Sequence, residues 1–147
     1  MAGHIIKHPQ RYHEFDGQGV IYNAWYPAWF DEALTRFFEH AGITPDDMAS
    51  EGFDYQLVHS EIDWRSGVRR GDDVEIHVQP GKIGTTSFQV HYSVRRNGTE
   101  SCAARVVYVS VARDGSGKTP VPGRFRRALE SAMGDTAGRV TPADPHR

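Results

Sequence analysis

Residues 29–42, Trp29-Phe30-Asp31-Glu32-Ala33-Leu34-Thr35-Arg36-Phe37-Phe38-Glu39-His40-Ala41-Gly42, carry the period that decides the fold. Phe30, Ala33, Leu34, Phe37, Phe38 and Ala41 recur at helical spacing and make one broad apolar face. Pro27 suits the first turn of such a helix, Asp31 and Glu32 suit its positive end, and Gly42 suits its C-cap. Glu32 and Arg36, four residues apart, are expected to pair on its surface. A face this wide needs burial, so the helix must lie against another part of the chain.

Downstream the period changes from helical to alternating. Residues 54–65 alternate Val58, Ser60, Ile62 and Trp64 against His59, Glu61, Asp63 and Arg65. Residues 73–79 alternate through Val74, Ile76 and Val78, and residues 85–96 through Phe88, Val90, Tyr92 and Val94. Residues 99–112 form a further long strand, joined to the previous one by Asn97-Gly98, a strong two-residue hairpin signal. Residues 45–51 offer a short helical turn. Residues 4–15 read as a strand interrupted near Pro9. Phe125, Ala128, Leu129 and Ala132 mark a short C-terminal helix after Pro122. Val and Ile together number 20 and Leu only 3, a balance that favours sheet over helical bundle. The expected architecture is α+β: one long helix packed on an antiparallel sheet. Such a sheet leaves edges and apolar surface for a second copy to cover. The domain is expected to span residues 1–133, with 134–147 a disordered tail.

Composition narrows the function. The 147 residues suit one domain. Seventeen basic and 19 acidic side chains leave a net charge of -2, no footprint for nucleic acid. The single cysteine, Cys102, excludes an internal disulfide framework and reads as a small core residue. No apolar run is long enough for a membrane helix, and the N-terminus has no signal-peptide pattern, so the expected location is the cytoplasm.

The chemistry is expected in Asp16-Gly17-Gln18-Gly19-Val20-Ile21-Tyr22-Asn23-Ala24-Trp25-Tyr26, which leads into the helix. A helix N-terminus presents unpaired N–H groups to a developing oxyanion. A nearby carboxylate can attack or deprotonate water. Glycines at 17 and 19 let the backbone turn tightly beside a ligand. This segment and the following Phe30-Asp31-Glu32-Ala33 resemble the 4-hydroxybenzoyl-CoA thioesterase family of hotdog-fold acyl-CoA thioesterases. Arg70-Gly71-Asp72, Lys82-Ile83-Gly84 with Ser87, the Asn97-Gly98 hairpin and Val121-Pro122 extend the likeness over about residues 5–131.

That resemblance implies a hotdog fold, a helix wrapped by a curved antiparallel sheet, in homodimers or homotetramers with sites at the interface. It implies hydrolysis of acyl-CoA without a cofactor, with Asp16 as nucleophile or general base and the Asn23 backbone amide polarising the thioester carbonyl. Gly19, Tyr22, Trp25, Tyr26, Trp29, Lys82, Ser87 and Arg124 are the expected substrate contacts. Many relatives carry His where Asn23 stands and Asn where Trp25 stands, so Trp25 is expected to reshape the acyl pocket. The alternatives are an acyl carrier protein thioesterase and an acyl-CoA-binding module without turnover.

Several features also have plain structural readings. Asp16 could be only a turn residue and Asn23 only a cap. The aromatics from Tyr22 to Phe30 could be core, and Glu32 a solvated or interface charge. Lys118 and the Arg124, Arg126 and Arg127 group could meet CoA phosphates or line a solvated helix face. His4 and His8 are four apart in a strand-like stretch, which does not set ligands on one helix face, and no metal is expected. Gly115-Ser116-Gly117-Lys118-Thr119 lacks the first glycine of a phosphate-binding loop.

Overall fold

In the computed structural model, which describes residues 3–133 and 139–141, the expected helix runs from Tyr26 to His40 (α1). Phe30, Ala33, Leu34, Phe37 and Phe38 are all buried along one face. Pro27 sits in the first turn, and Gly42 follows the C-cap with φ 83°, a backbone that favours glycine. A short helix, α2 (Pro45–Ser50), comes next, capped by the Thr44 hydroxyl.

The sheet is built from β1 (His4–Lys7), β2 (Phe53–Trp64), β3 (Val74–Ile83), β4 (Ser87–Arg96), β5 (Thr99–Ala112) and β6 (Arg139–Thr141). Its strand order is β2-β5-β4-β3-β1-β6. Neighbours run antiparallel except β1 and β6, which are parallel. The β4–β5 hairpin turns at Asn97 (φ 50°) and Gly98 (φ 84°), as the sequence predicts.

Ile76, Val78, Val90, Tyr92, Val94, Cys102, Val106 and Tyr108 alternate onto the buried sheet face and form one core with α1. Phe30 stacks on Tyr92 with ring centroids 4.7 Å apart. Each such side chain contributes roughly 1.5–3 kcal/mol by leaving water. A third helix, α3 (Gly123–Met133), adds Phe125 and Leu129 to the same core. A long helix on an antiparallel sheet, with the helix after the first strand, is the hotdog fold.

Two expectations are corrected. Glu32 does not pair with Arg36. It turns to Arg11, 3.5 Å away, and to His8, also 3.5 Å. Arg36 is instead buried and donates to the Lys7 carbonyl at 3.2 Å. The simple alternation in residues 54–65 fails because the register slips between Leu57 and His59, leaving Val58 unpaired and exposed. Within the stretch expected to be a tail, residues 139–141 pair with His4–Ile6, while 134–138 and 142–147 lie outside the described residues.

Candidate active site

Asp16 stands at the mouth of a tight loop. Its N–H donates to Val20 O at 2.8 Å, and its own carbonyl accepts from Gly19 N at 3.1 Å. Its Oδ1 accepts from Gln18 N at 2.8 Å, an Asx turn that fixes the carboxylate's direction. Among the described residues Oδ2 has no partner. Gly19 takes φ 79°, so the turn requires glycine there. Below the loop, Phe15 bridges Ile21 and the Glu14 carbonyl accepts from Tyr22 N at 2.9 Å. This miniature ladder is fastened to the loop before β3, where Ile21 N donates to Val68 O at 2.9 Å and Val20 bridges Arg69.

Asn23 opens a one-turn 3-10 helix, Asn23–Trp25, that runs directly into α1. Its N–H has no backbone acceptor among the described residues. It therefore presents an open donor at the positive end of the helix. Asn23 and Tyr26 line a shallow cleft of about 320 Å³ with Trp64, Arg65, Ser66 and Gly67. This cleft opens beside the last residue of β2, which is the unpaired edge of the sheet. Leu57, Val58 and Trp64 are all about half exposed along that edge.

The other expected contacts divide. Tyr22 is exposed and Trp25 half-buried, its ring edge-on to His13. Tyr26 and Trp29 are each only 1% exposed, so both are core residues at their rings. The Trp29 indole N–H donates to Glu14 Oε2 at 2.8 Å. Lys82 is exposed and Ser87 half-buried, near the start of the β4 strand. Arg124 donates to Gly42 O at 2.7 Å and pairs with Asp47 at 3.4 Å. It thus sits at the far end of α1 from Asn23, roughly 20 Å away at 1.5 Å rise per residue. Within one chain, Asp16 and Asn23 lie at opposite ends of the short ladder of residues 14–22, and Arg124 lies away from both.

Two carboxylates were not site candidates in the sequence. Glu14 is a buried carboxylate two residues before Asp16, with no periodic pattern to flag it. Asp31 projects from the first turns of α1, solvent-accessible yet with its carboxyl pushed above the ordinary value by burial. Its charge reaches the hydroxyls of Tyr55, Tyr92 and Tyr108. Tyr55 is pushed up to about 12 mainly by burial, and the Thr35 hydroxyl donates to the Asp31 carbonyl at 2.9 Å. Tyr92 and Tyr108 share a buried hydrogen bond of 2.7 Å. Cys102 is wholly buried, and burial pushes its thiol up to about 12, as befits a core residue.

The larger cavity, about 450 Å³, lies on the sheet's outer face among Ile5, His77, Gln79, His91 and Arg95, and none of the expected site residues line it. Among the described residues no three His, Cys, Asp or Glu side chains sit together as metal ligands. Among the described residues no helix is long and apolar enough to cross a membrane.

Comparison with known proteins agrees with this fold. The 1,4-dihydroxy-2-naphthoyl-CoA hydrolase of Synechococcus elongatus is 25% identical over 132 residues, 88% of this chain and 97% of that protein. A 1,4-dihydroxy-2-naphthoyl-CoA thioesterase from Synechocystis superposes with a TM-score of 0.78 at 20% identity, covering 86% of this chain and 94% of the other. A Staphylococcus aureus protein crystallised with CoA superposes with a TM-score of 0.82 at 13% identity, covering 93% and 89%. The resemblance to 4-hydroxybenzoyl-CoA thioesterases therefore holds at the level of the superfamily, while these two named relatives act on a bicyclic substrate. The sequence model of the thioesterase superfamily matches residues 18–103, more than half of the chain, and the protein belongs to that superfamily.

Proposed function

We propose that the protein hydrolyses an acyl-CoA thioester to a carboxylic acid and CoA, working as a dimer or larger homo-oligomer in the cytoplasm. The observation that carries this reading is the pairing of a fixed, half-free carboxylate at Asp16 with an open N–H at Asn23, on opposite ends of one short ladder. A strand rises about 3.3 Å per residue, which sets the two backbones on the order of 10 Å apart. The aspartate side chain, a thioester carbonyl and its hydrogen bond fill that span. The Asn23 amide stabilises the oxyanion, and Asp16 attacks the carbonyl carbon or deprotonates the water that does. No cofactor takes part.

The acyl group that best suits the site is a hydroxylated aromatic. The curated relatives act on a dihydroxylated naphthoyl thioester. Asp31, exposed on α1 one turn before Thr35, supplies a carboxylate acceptor for an aryl hydroxyl at the helix face. The open β2 edge supports a second copy that walls the cleft and brings its own Lys82, Ser87 and Arg124 region toward the CoA. The test is a free-thiol assay over aromatic, short-chain and long-chain acyl-CoAs with the parent and Asp16→Asn. The parent hydrolyses aromatic acyl-CoA, and the variant loses about 10²–10⁴ in kcat while still binding substrate. Hydrolysis by the variant at the parental rate reduces Asp16 to a turn residue. Binding without turnover by the parent makes the protein a binding module.

A further inference from the structure

Glu14 is 3% exposed, an unusual place for a carboxylate, and its bonds explain the burial. Oε2 accepts from the Trp29 indole N–H on α1 at 2.8 Å. Oε1 accepts from the Arg11 backbone N–H at 3.0 Å, and the Arg11 guanidinium lies 4.0 Å from Oε2. The Glu14 carbonyl accepts from Tyr22 N at 2.9 Å. Asp16 follows Glu14 by two residues, and Asn23 follows Tyr22 by one. One residue is therefore fastened to the segment bearing the carboxylate, to the segment bearing the amide, and to the helix from whose start that amide projects.

We infer that Glu14 is the positioning residue of the site: its side chain clasps Trp29 and its carbonyl clasps Tyr22, and together they hold Asp16 and the Asn23 N–H at the spacing that thioester hydrolysis needs. This role rests on the acyl-CoA hydrolase reading. The geometry favours positioning over mere stability. The core of β3, β4 and β5 packs on α1 through Phe30, Leu34 and Phe37 without Glu14. Among the described residues the ladder of residues 14–22 has one other long-range backbone anchor, at Val68 and Arg69. Loosening the clasp frees the ladder relative to α1 and leaves the rest of the sheet paired. A shift on the order of 1 Å between reacting groups lowers turnover about 10²-fold without removing any group that touches CoA.

The experiment measures kcat and KM for one acyl-CoA turned over by the parent, in Glu14→Gln, Glu14→Ala, Trp29→Phe and the Glu14→Ala, Trp29→Phe double variant. Folded content comes from near-ultraviolet circular dichroism at the assay temperature. Glu14→Ala lowers kcat 10- to 100-fold per folded molecule, with KM within threefold of parent. Trp29→Phe, which deletes the indole donor and keeps an aromatic ring, lowers kcat in the same direction. The double variant is no worse than Glu14→Ala, because both changes break one clasp. Glu14→Gln, which retains one acceptor for the indole, recovers part of the loss. Parental kcat per folded molecule in Trp29→Phe and Glu14→Ala overturns the role, whatever happens to their melting temperatures. Should Glu14→Ala fail to fold, Trp29→Phe and Glu14→Gln decide the matter alone. A parent that turns over no acyl-CoA overturns the hydrolase reading and this role with it, whereas an active parent with unaffected variants overturns the role alone.

Discussion

His8 makes the stability of this protein depend on mild acid. The ring is 5% exposed, lies 4.3 Å from the Trp29 ring, and carries a buried Nε2 with no hydrogen-bond partner. Burial is the main cause that pushes its pKa down from 6.5 to about 3, helped by the positive charges of Arg11 and Arg36. Glu32, 3.5 Å from Nδ1, pulls the other way. Arg11 already engages that carboxylate at 3.5 Å, so desolvation dominates and the ring stays neutral. A histidine with a depressed pKa binds its proton more readily unfolded than folded. Stability is therefore whole above the unfolded value near 6.5 and drains as pH falls from there toward about 3. With those two values, the loss between pH 7 and pH 5 is about 2 kcal/mol, at 1.36 kcal/mol per pKa unit. Urea denaturation at both pH values, at one protein concentration, compares the parent with His8→Phe, which keeps a ring on Trp29 and cannot titrate. Other acid-sensitive pairs, such as Lys7 with Glu75 and Arg105 with Glu61, are common to both proteins and cancel. The parent should lose about 2 kcal/mol more than the variant. Equal losses, or a parent that gains stability in acid, would refute the reasoning and show Glu32 to be the dominant neighbour.

Other outcomes follow from the same structure. Tyr92→Phe or Tyr108→Phe leaves one buried hydroxyl alone and should cost about 1–3 kcal/mol in chemical denaturation, while the double variant costs less than the sum. Light scattering should give a particle at least twice the 16.5 kDa chain mass, and Trp64→Glu on the exposed β2 edge should shift it toward one copy. Lys82→Ala should raise KM for acyl-CoA with little change in kcat, since such contacts bind ground and transition states alike. Arg124→Ala should lower the melting temperature more than it raises KM, because that guanidinium ties α3 to Gly42 and Asp47.

Local periodicity made part of this structure readable. The α1 face and the alternation in β3, β4 and β5 are set by residues that meet the same core, so their spacing in sequence survives in space. Asn97-Gly98 was readable because few residue pairs tolerate positive φ twice running. The Asp16 loop was readable through its glycines, and Gly19 does need them. Non-local features were not legible. Glu32 prefers Arg11 to Arg36 because the chain before the helix folds back across it, which a surface-helix rule ignores. The slip at Val58 belongs to the pairing of β2 with β5, not to either strand alone. Trp29 reads equally well as a pocket ring or a core ring until Glu14 is seen to bond its indole nitrogen.

The pairing of β1 with β3 has a consequence for how the site comes into being. Ile6 faces Ile76, 70 positions away, and the loop that fixes Asp16 leans on Val68 and Arg69. The β3–β4 and β4–β5 hairpins close over much shorter spans. Closing a long loop costs entropy before its contacts repay it, so short-range hairpins assemble first and distant pairings last. Asp16 and Asn23 are thus translated early and aligned late. A ribosome-bound chain that ends before β3 holds Asp16, Asn23 and the Val68–Arg69 anchor but lacks the strand that β1 pairs with and the sheet on which α1 packs. Substitutions in the Asn97-Gly98 turn should lower the refolding rate, whereas those in β1 should chiefly raise the unfolding rate, as read from the two arms of a denaturant chevron. The order of synthesis and the order of assembly run in opposite directions, and the segment bearing Asp16 and Asn23 is finished last.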